Sequence, residues 1–529
     1  MTRFRERTLE EWMQVFLADP DIPFEVVVSS EEALSHPQII HNKDWVLIDD
    51  PTVGPMKQVG PIGHFSETPS VIGNPAPALG QHNPLPHPTK NRSSADGTGK
   101  APPPHPLHGV SIVECGYFYA MPFGVTLAAS LGARVFKIEP IEGDPMRFGF
   151  NFPEAGAVKT MEGKESIPID MKTPEGQKII HQLVAKADVF VTSFRPGVPE
   201  RLKVDYQTLR KINPRLVYVH ATGYGTTGPY SHRPTYAGTA SAAAGQLARQ
   251  ARYWLDPKQA EDRNLAGLKE LASRVRALVD GDANGALGVA TATALAIFHQ
   301  RRTGQGQFVA TTQVGGNLYA YSDDFTSYKG KAPVPVPDPD YYGLHALYRL
   351  YQAQRGWVFL ACTSQEEWER FCSLTGQEGL LHDPRFATPL ARKQHDHELI
   401  ASLIALFAQR PADEWENHLA PRGVGCVRVF EPPSGGLVNW YPEFSCTDPA
   451  LKEMGLVAEV EHPLFGRIVR HGLPVIFSET PGRIAPGCMI GQHTEAILME
   501  LGYTSEQIQQ LIQQRVVTSV AKGVPTQQR

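Results

Sequence analysis

In this chain of 529 residues, residue type and spacing first suggest chemistry at Gly281-Asp282, within GDANGALG (281–288). Read locally, the aspartate opens a helix of small residues running from Gly281 to Arg302. As the N-cap of that helix it would be held by the dipole and by free backbone N–H groups. The other reading is a carboxylate nucleophile that attacks an activated acyl carbon and passes through a covalent intermediate. The neighbouring glycines would leave room for a ligand and offer N–H groups to an oxyanion. On local grounds both readings stand.

Other motifs carry less. GYGTTG (223–228) has the G-x-G-x-x-G spacing and follows a strand pattern. Pro229 and Tyr230 then stand where a helix should open on a pyrophosphate, and the acidic residue expected about 20 positions on is missing. A turn lining a ligand pocket is the better reading. His395 and His397 form an H-x-H on a charged helix without an obvious third ligand, so no metal site is expected. There is no G-x-S-x-G elbow and hence no sequence support for a hydrolase triad. A net charge of −5 advertises no broad basic face for nucleic acid, although local basic groups could hold a small anion. Six cysteines without a C-x-x-C pair point to reduced thiols in a cytoplasmic protein. The start lacks the apolar stretch of a signal peptide, and no run of about 18 apolar residues predicts a membrane span.

The elements that must position these groups alternate. Short β-branched runs at 109–116, 134–140, 188–194 and 215–223 read as strands, and AMPFGVTLAASLGA (120–133) and GQKIIHQLVAKA (176–187) read as helices. This alternation predicts an α/β fold with a parallel, helix-covered sheet. TGQGQ (303–307) stops the small-residue helix, and FVATTQV (308–314) begins another strand. From about residue 331 to 440 the pattern changes to a smaller α+β domain, with two strands around a turn and then a helix at SQEEWERFCSL. Residues 441–529 are expected to return to the large domain (108–330), and the Pro/Gly-rich stretch 84–107 reads as a linker. Residues 1–83 partly repeat the end of the chain. FSETP occurs at Phe65–Pro69 and at Phe477–Pro481, and DDPTVG and EHPLFG share the same offset. GQH recurs at Gly80–His82 and Gly491–His493, and Glu11-Trp12 precedes one block as Glu414-Trp415 precedes the other.

The segment from GVSIVECGYFYAMPFG to EPIEGDPMR resembles the opening of the class III CoA-transferases, the CaiB/BaiF family. IPIDMKTPEG, SFRPGVPERL, INPRLVYVHATGYGTTGPY, GDANGALG, RRTGQGQ and the tail EHPLFGRIVRHGLPVIFSETPGRIAP follow in the family's order. The resemblance covers about 107–515, and residues 1–83 match the family's tail. It implies a Rossmann-like large domain with a parallel sheet, a smaller α+β domain and an interlocked dimer. It also implies CoA transfer between an acyl-CoA and a carboxylic acid through an aspartyl mixed anhydride and an aspartyl-CoA thioester. The catalytic aspartate falls on Asp282, since the nearby Asp280 is preceded by Val279 rather than glycine.

By the same resemblance, CoA contacts fall on Phe118, Tyr119, Ala120, Ile169, Lys172, Ser193, Phe194, Arg201 and Leu202. No metal and no cofactor beyond the CoA thioester substrate is implied, and the chain would pair with itself or a related subunit. Four departures are visible. Met121 stands where the family has glycine, and the segment Arg249–Leu278 is longer than usual. Tyr236 replaces the histidine of the racemases, and only Gly343 remains of the glycine run of formyl-CoA transferases. The last two argue against racemisation and formate–oxalate exchange, and for a bulkier acyl group. A second reading, from another class, is a catalytically silent or partner-dependent CoA-binding subunit.

Overall fold

The computed structural model describes residues 2–19, 21–83, 103–148, 158–251, 277–338, 340–429 and 449–520. Residues 84–102 of the expected linker and 252–276 of the long segment before Asp282 lie outside the described residues. Among the described residues no helix is long and apolar enough to cross a membrane. The chain forms two compact units, Met1–Lys331 with Leu451–Arg529, and Ala332–Ala450.

The first unit is built on seven strands. They are β3 (His64–Phe65), β4 (Ser111–Cys115), β5 (Arg134–Glu139), β6 (Glu165–Pro168), β7 (Val189–Thr192), β8 (Val217–Thr222) and β9 (Phe308–Thr312), numbered after the hairpin strands β1 (Trp45–Asp50) and β2 (Gly54–Val59). Their order is β3-β9-β8-β7-β4-β5-β6, parallel except for β3. Strands β4, β7 and β8 are buried almost throughout, which is why they read as unbroken apolar runs rather than alternating ones. The strand order reverses between β4 and β7. Connections leaving those two strands diverge to opposite sides and open a crevice at their C-terminal ends.

Two segments 412 residues apart follow the same course. The hairpin β1–β2 and a second hairpin, β14 (Val457–His462) with β15 (Gly466–His471), have bounds displaced by that one offset, 45 to 457 and 54 to 466. Each follows a short helix that begins on proline, Pro37–Asn42 and Pro449–Glu453. Each helix ends in a left-handed residue, Lys43 (φ 61°) and Gly455 (φ 70°). Each hairpin closes on a glycine, where Gly60 donates to the Asp44 carbonyl at 2.7 Å and Gly472 to the Leu456 carbonyl at 2.8 Å. A side chain on either glycine would strike that backbone, so sequence and conformation are fixed together at both places. Beyond the first hairpin, β3 pairs with β9 and buries Phe65 in the core with Val289, Ala292 and Val309.

Beneath the crevice lie three buried carboxylates and three buried cations: Glu114, Glu139, Asp144, Lys137, Arg147 and Lys164. Lys137 Nζ donates to the Gly116 carbonyl at 2.6 Å and contacts Glu114 and Asp144 at 2.9 Å each. Lys164 reaches Glu114 at 2.6 Å, and Arg147 grips Glu139 through two nitrogens at 2.7 and 2.8 Å. Burial alone would strip the proton from Lys137, but Asp144, Glu114 and Glu139 outweigh it and hold the ammonium charged.

The second unit carries a four-stranded antiparallel sheet, β10 (Gly343–His345), β11 (Tyr348–Gln352), β12 (Trp357–Ala361) and β13 (Gly425–Val429). Its core is rich in aromatics, with Trp368, Phe371, Phe407 and Trp415 all at or below 1% exposure. The sequence pattern predicts only two strands around a turn there. β10 is three residues long, and β13 lies about 60 residues downstream, too far for a local pattern to announce its pairing.

Two substitutions test these packing arguments. Phe65→Ala leaves a cavity under the sheet edge and is expected to cost about 3–5 kcal/mol, whereas Phe477→Ala, at the exposed matching position, costs within about 1 kcal/mol; urea unfolding distinguishes them. Lys137→Met strands Asp144 without its cation and leaves Glu114 to Lys164 alone, and a loss of about 3–5 kcal/mol in the same assay is expected.

Candidate active site

Asp282 does not open its helix. The helix spans Ala277–Thr303, which places the aspartate in its second turn, so the N-cap reading and its dipole stabilisation are corrected. The small residues around it have another cause. A Cβ on Gly281 would come within 2.5 Å of the Ala237 carbonyl and 2.6 Å of the Ser241 hydroxyl, so the helix Ala237–Ala243 packs here almost backbone to backbone.

Gln313 Nε2 donates to Asp282 Oδ1 at 2.5 Å. Asn317 Nδ2 donates to the Gly281 carbonyl at 3.0 Å. Both amides come from the helix Gln313–Ala320, capped by Thr312 at the end of β9. The sequence pattern runs that strand through Val314, which puts Gln313 inside a strand and hides it as a partner. Thr312 followed by a glycine pair is the cap signal that would have ended the strand earlier. Burial raises the Asp282 carboxyl to about 6, against the hydrogen bond from Gln313, which lowers it.

Asp282 and Gln313 line a cavity of about 1040 Å³ at the strand ends. Phe118, Tyr119, Ala120, Ser193, Phe194 and Leu202 line it too, which brings six of the nine expected CoA contacts together with the aspartate. The other three stand apart from the lining. Ile169 is 1% exposed in the core, where it bridges to Val517. Lys172 is exposed just before the helix Pro174–Val184, and Arg201 is exposed beside Leu202 on the turn Val198–Arg201.

The two walls of the crevice meet at Gly116, where an added Cβ would strike Met121 Cε and the Ser193 hydroxyl. Met121 is itself 3% exposed, so the residue that departs from the family's glycine is spent on packing at this junction. Phe118 has φ 67°, uncommon for a bulky side chain, and its N–H donates to Asp144 Oδ1 at 3.1 Å. The buried charge cluster therefore fixes the turn that carries three of the lining residues. Tyr236, where the racemases have histidine, lines the cavity edge-on to Phe118 at 5.7 Å.

One contribution was not foreseen from the sequence. Residues of the N-terminal segment reach the cavity wall. Asp21 lines it and pairs with Arg195 at 2.8 Å, and Glu25 holds Arg233 at 3.2 Å and the Tyr224 hydroxyl at 2.7 Å. GYGTTG is a loop after β8 that contributes Gly223 to the lining, and Gln38 and Asn42 tie it down through the Thr227 and Tyr224 carbonyls. Its glycines serve this packing rather than a pyrophosphate.

The model of the family described as CoA-transferase family III matches residues 1–83 and 107–494. The chain is 28% identical over 423 residues to succinyl-CoA–D-citramalate CoA-transferase of Chloroflexus aurantiacus, covering 78% of this chain and 99% of that one. It is 26% identical over 439 residues to formyl-CoA:oxalate CoA-transferase of Escherichia coli, with the same coverages. The crystal structure of a CaiB/BaiF family protein from Brucella suis superposes with a TM-score of 0.59 at 25% identity, over 75% of this chain and all of that one. With its mainly parallel sheet and a cavity at the strand ends, the chain belongs to CoA-transferase family III and is a CoA-transferase.

Proposed function

We propose that this enzyme moves CoA from an acyl-CoA to a carboxylic acid by covalent catalysis at Asp282. The observation that carries the reading is that the Asp282 carboxyl lines the same cavity as six of the residues expected to hold CoA. An oxygen of the carboxylate attacks the thioester carbonyl, the C–S bond breaks, and CoA leaves as thiolate from an aspartyl mixed anhydride. The thiolate attacks the aspartyl carbon and releases the donor acid, leaving an aspartyl-CoA thioester. The acceptor carboxylate then attacks that thioester, and the returning thiolate takes the acceptor's acyl carbon and restores Asp282. No net proton is consumed.

Gln313 holds one carboxylate oxygen and would donate to the same oxygen when it becomes the carbonyl of the thioester. A carboxyl raised to about 6 is more basic than a solvated aspartate, hence a better nucleophile, while still ionised at neutral pH. Phe118, Tyr119, Ala120, Ser193, Phe194 and Leu202 would take the pantetheine and adenine. The exposed Lys172 and Arg201 would meet phosphates outside the cavity, and Ile169 would act through the backbone it fixes.

Incubation with acyl-CoA donors and hydroxylamine, followed by peptide mapping, is expected to yield an aspartyl hydroxamate at position 282 that is absent in Asp282→Asn. Unmodified protein with every donor would sink the proposal. The same variant should be more stable. A carboxyl raised on folding from 3.8 to about 6 costs nothing well below pH 3.8, where folded and unfolded forms are both protonated, and its penalty is complete above about pH 7. Asp282→Asn is therefore expected to gain about 3 kcal/mol at pH 8 and no more than about 0.5 kcal/mol at pH 4, read by urea unfolding. Trapping should also fall as pH drops through about 6, and Gln313→Leu, which removes the group holding the carboxyl down, should move that midpoint upward.

A further inference from the structure

The helix that carries Gln313 lies against the aspartate's own helix with hardly any side chain between them. A Cβ on Gly316 would come within 2.7 Å of the Asn284 carbonyl and 3.1 Å of the Gly285 Cα, and one on Gly285 within 3.0 Å of Gln313 Cγ. That approach lets one short side chain span both helices. Asn317 stands one turn after Gln313 and is 0% exposed. Its Nδ2 donates to the Gly281 carbonyl at 3.0 Å and to the Gln313 carbonyl at 2.8 Å, and its Oδ1 accepts from Asn284 Nδ2 at 3.1 Å. Two carbonyls on one side and an amide donor on the other fix which way round its amide stands. The two carbonyls it joins belong to the residue before Asp282 and to the residue whose side chain holds Asp282.

Gln313 Nε2 has two acceptors near it, Asp282 Oδ1 at 2.5 Å and the Gly281 carbonyl at 3.5 Å. The second is the carbonyl that Asn317 already occupies. We infer that Asn317 is a positioning residue for the reaction: by filling the Gly281 carbonyl and clamping the two helices together, it keeps the Gln313 amide on the Asp282 carboxylate. Without it, the buried Gly281 carbonyl competes for the Gln313 amide. The carboxylate then loses its donor twice over, as the attacking group and as the carbonyl of the thioester. Asn317 touches no reacting atom and acts through Gln313. The inference rests on the covalent reading of Asp282 and states how the amide that reading needs is kept in place. An asparagine that served packing alone would cost stability when removed and leave the titration of the carboxyl where it is.

The test titrates the Asp282 carboxyl in the full chain by carbon-13 NMR of labelled aspartate, with the resonance assigned by its absence in Asp282→Asn. Asn317→Leu is expected to move the midpoint up by at least about half a pH unit, in the same direction as Gln313→Leu, because the ionised form loses its donor. In the Gln313→Leu background the same substitution should add nothing, since its effect runs through Gln313. Asn317→Ser keeps a hydroxyl for the carbonyl four residues back but is too short to reach Gly281. It should move the midpoint as leucine does, and it carries the test if the leucine variant does not fold. A midpoint unmoved by these substitutions, or moved equally with and without Gln313, overturns the proposal. Hydroxylamine trapping gives the kinetic counterpart. At saturating acyl-CoA the rate in Asn317→Leu should fall at least about tenfold, with the half-saturating concentration unchanged. An unchanged rate with altered half-saturation counts equally against the proposal. A wild-type chain that fails to trap would sink covalent catalysis at Asp282, and the titration would still decide the role of Asn317.

Discussion

The turn at Phe118 that lines the active site hangs from the ammonium of Lys137. The ammonium sits with no access to water on β5, and it ties the end of β4, through the Gly116 carbonyl and Glu114, to Asp144 beyond β5. Asp144 in turn holds the Phe118 N–H in a backbone conformation that a phenylalanine would not adopt unaided. Buried ion pairs of this kind contribute little to stability against an apolar replacement. Their use here is geometric. They fix the lip after β4 of a crevice whose position the strand order dictates, and they do so from below, leaving the lining to the ligand. Arg147 extends the same network to the C-terminal segment through the Cys488 carbonyl, so the sheet, the turn and the chain's end are set in one frame.

Asp282 is the counterpoint. Its carboxyl stands in the body of a helix, away from the free N–H groups that would stabilise its charge, and its single described amide partner does not cancel the cost of burial. A residue placed for stability would be elsewhere. The fold carries this cost on a helix whose small residues allow neighbouring backbones to pack closely, so the carboxylate is held rigidly where it is least comfortable.

Much of this was legible in the sequence. Strands buried on both faces announce themselves as apolar runs, and β4, β5, β7 and β8 were readable for that reason. The aspartate was legible through its glycine context and through family resemblance, but its place in the helix was not, because a Gly-Asp pair looks like a cap whether or not a turn precedes it. Gln313 was hidden by a strand pattern that runs on smoothly into a helix. Lys172 and Arg201 were placed by the resemblance alone, and both stand exposed outside the cavity lining, because a charge says nothing about which side of a turn it will face. The place of Asp21 in the cavity wall, and of Glu25 behind it on Arg233, was beyond reach, since contacts across about 200 residues leave no local period.

The two copies of FSETP also set a problem for the chain while it folds. Only the first pairs with β9, although the second carries the same five residues and lies nearer to it in sequence, where the loop to be closed is the shorter one. Synthesis resolves the ambiguity by order of appearance. The first module leaves the ribosome before β9 and waits for it, and the edge is filled before the second copy has been made. Order of synthesis therefore favours the pairing that the structure shows.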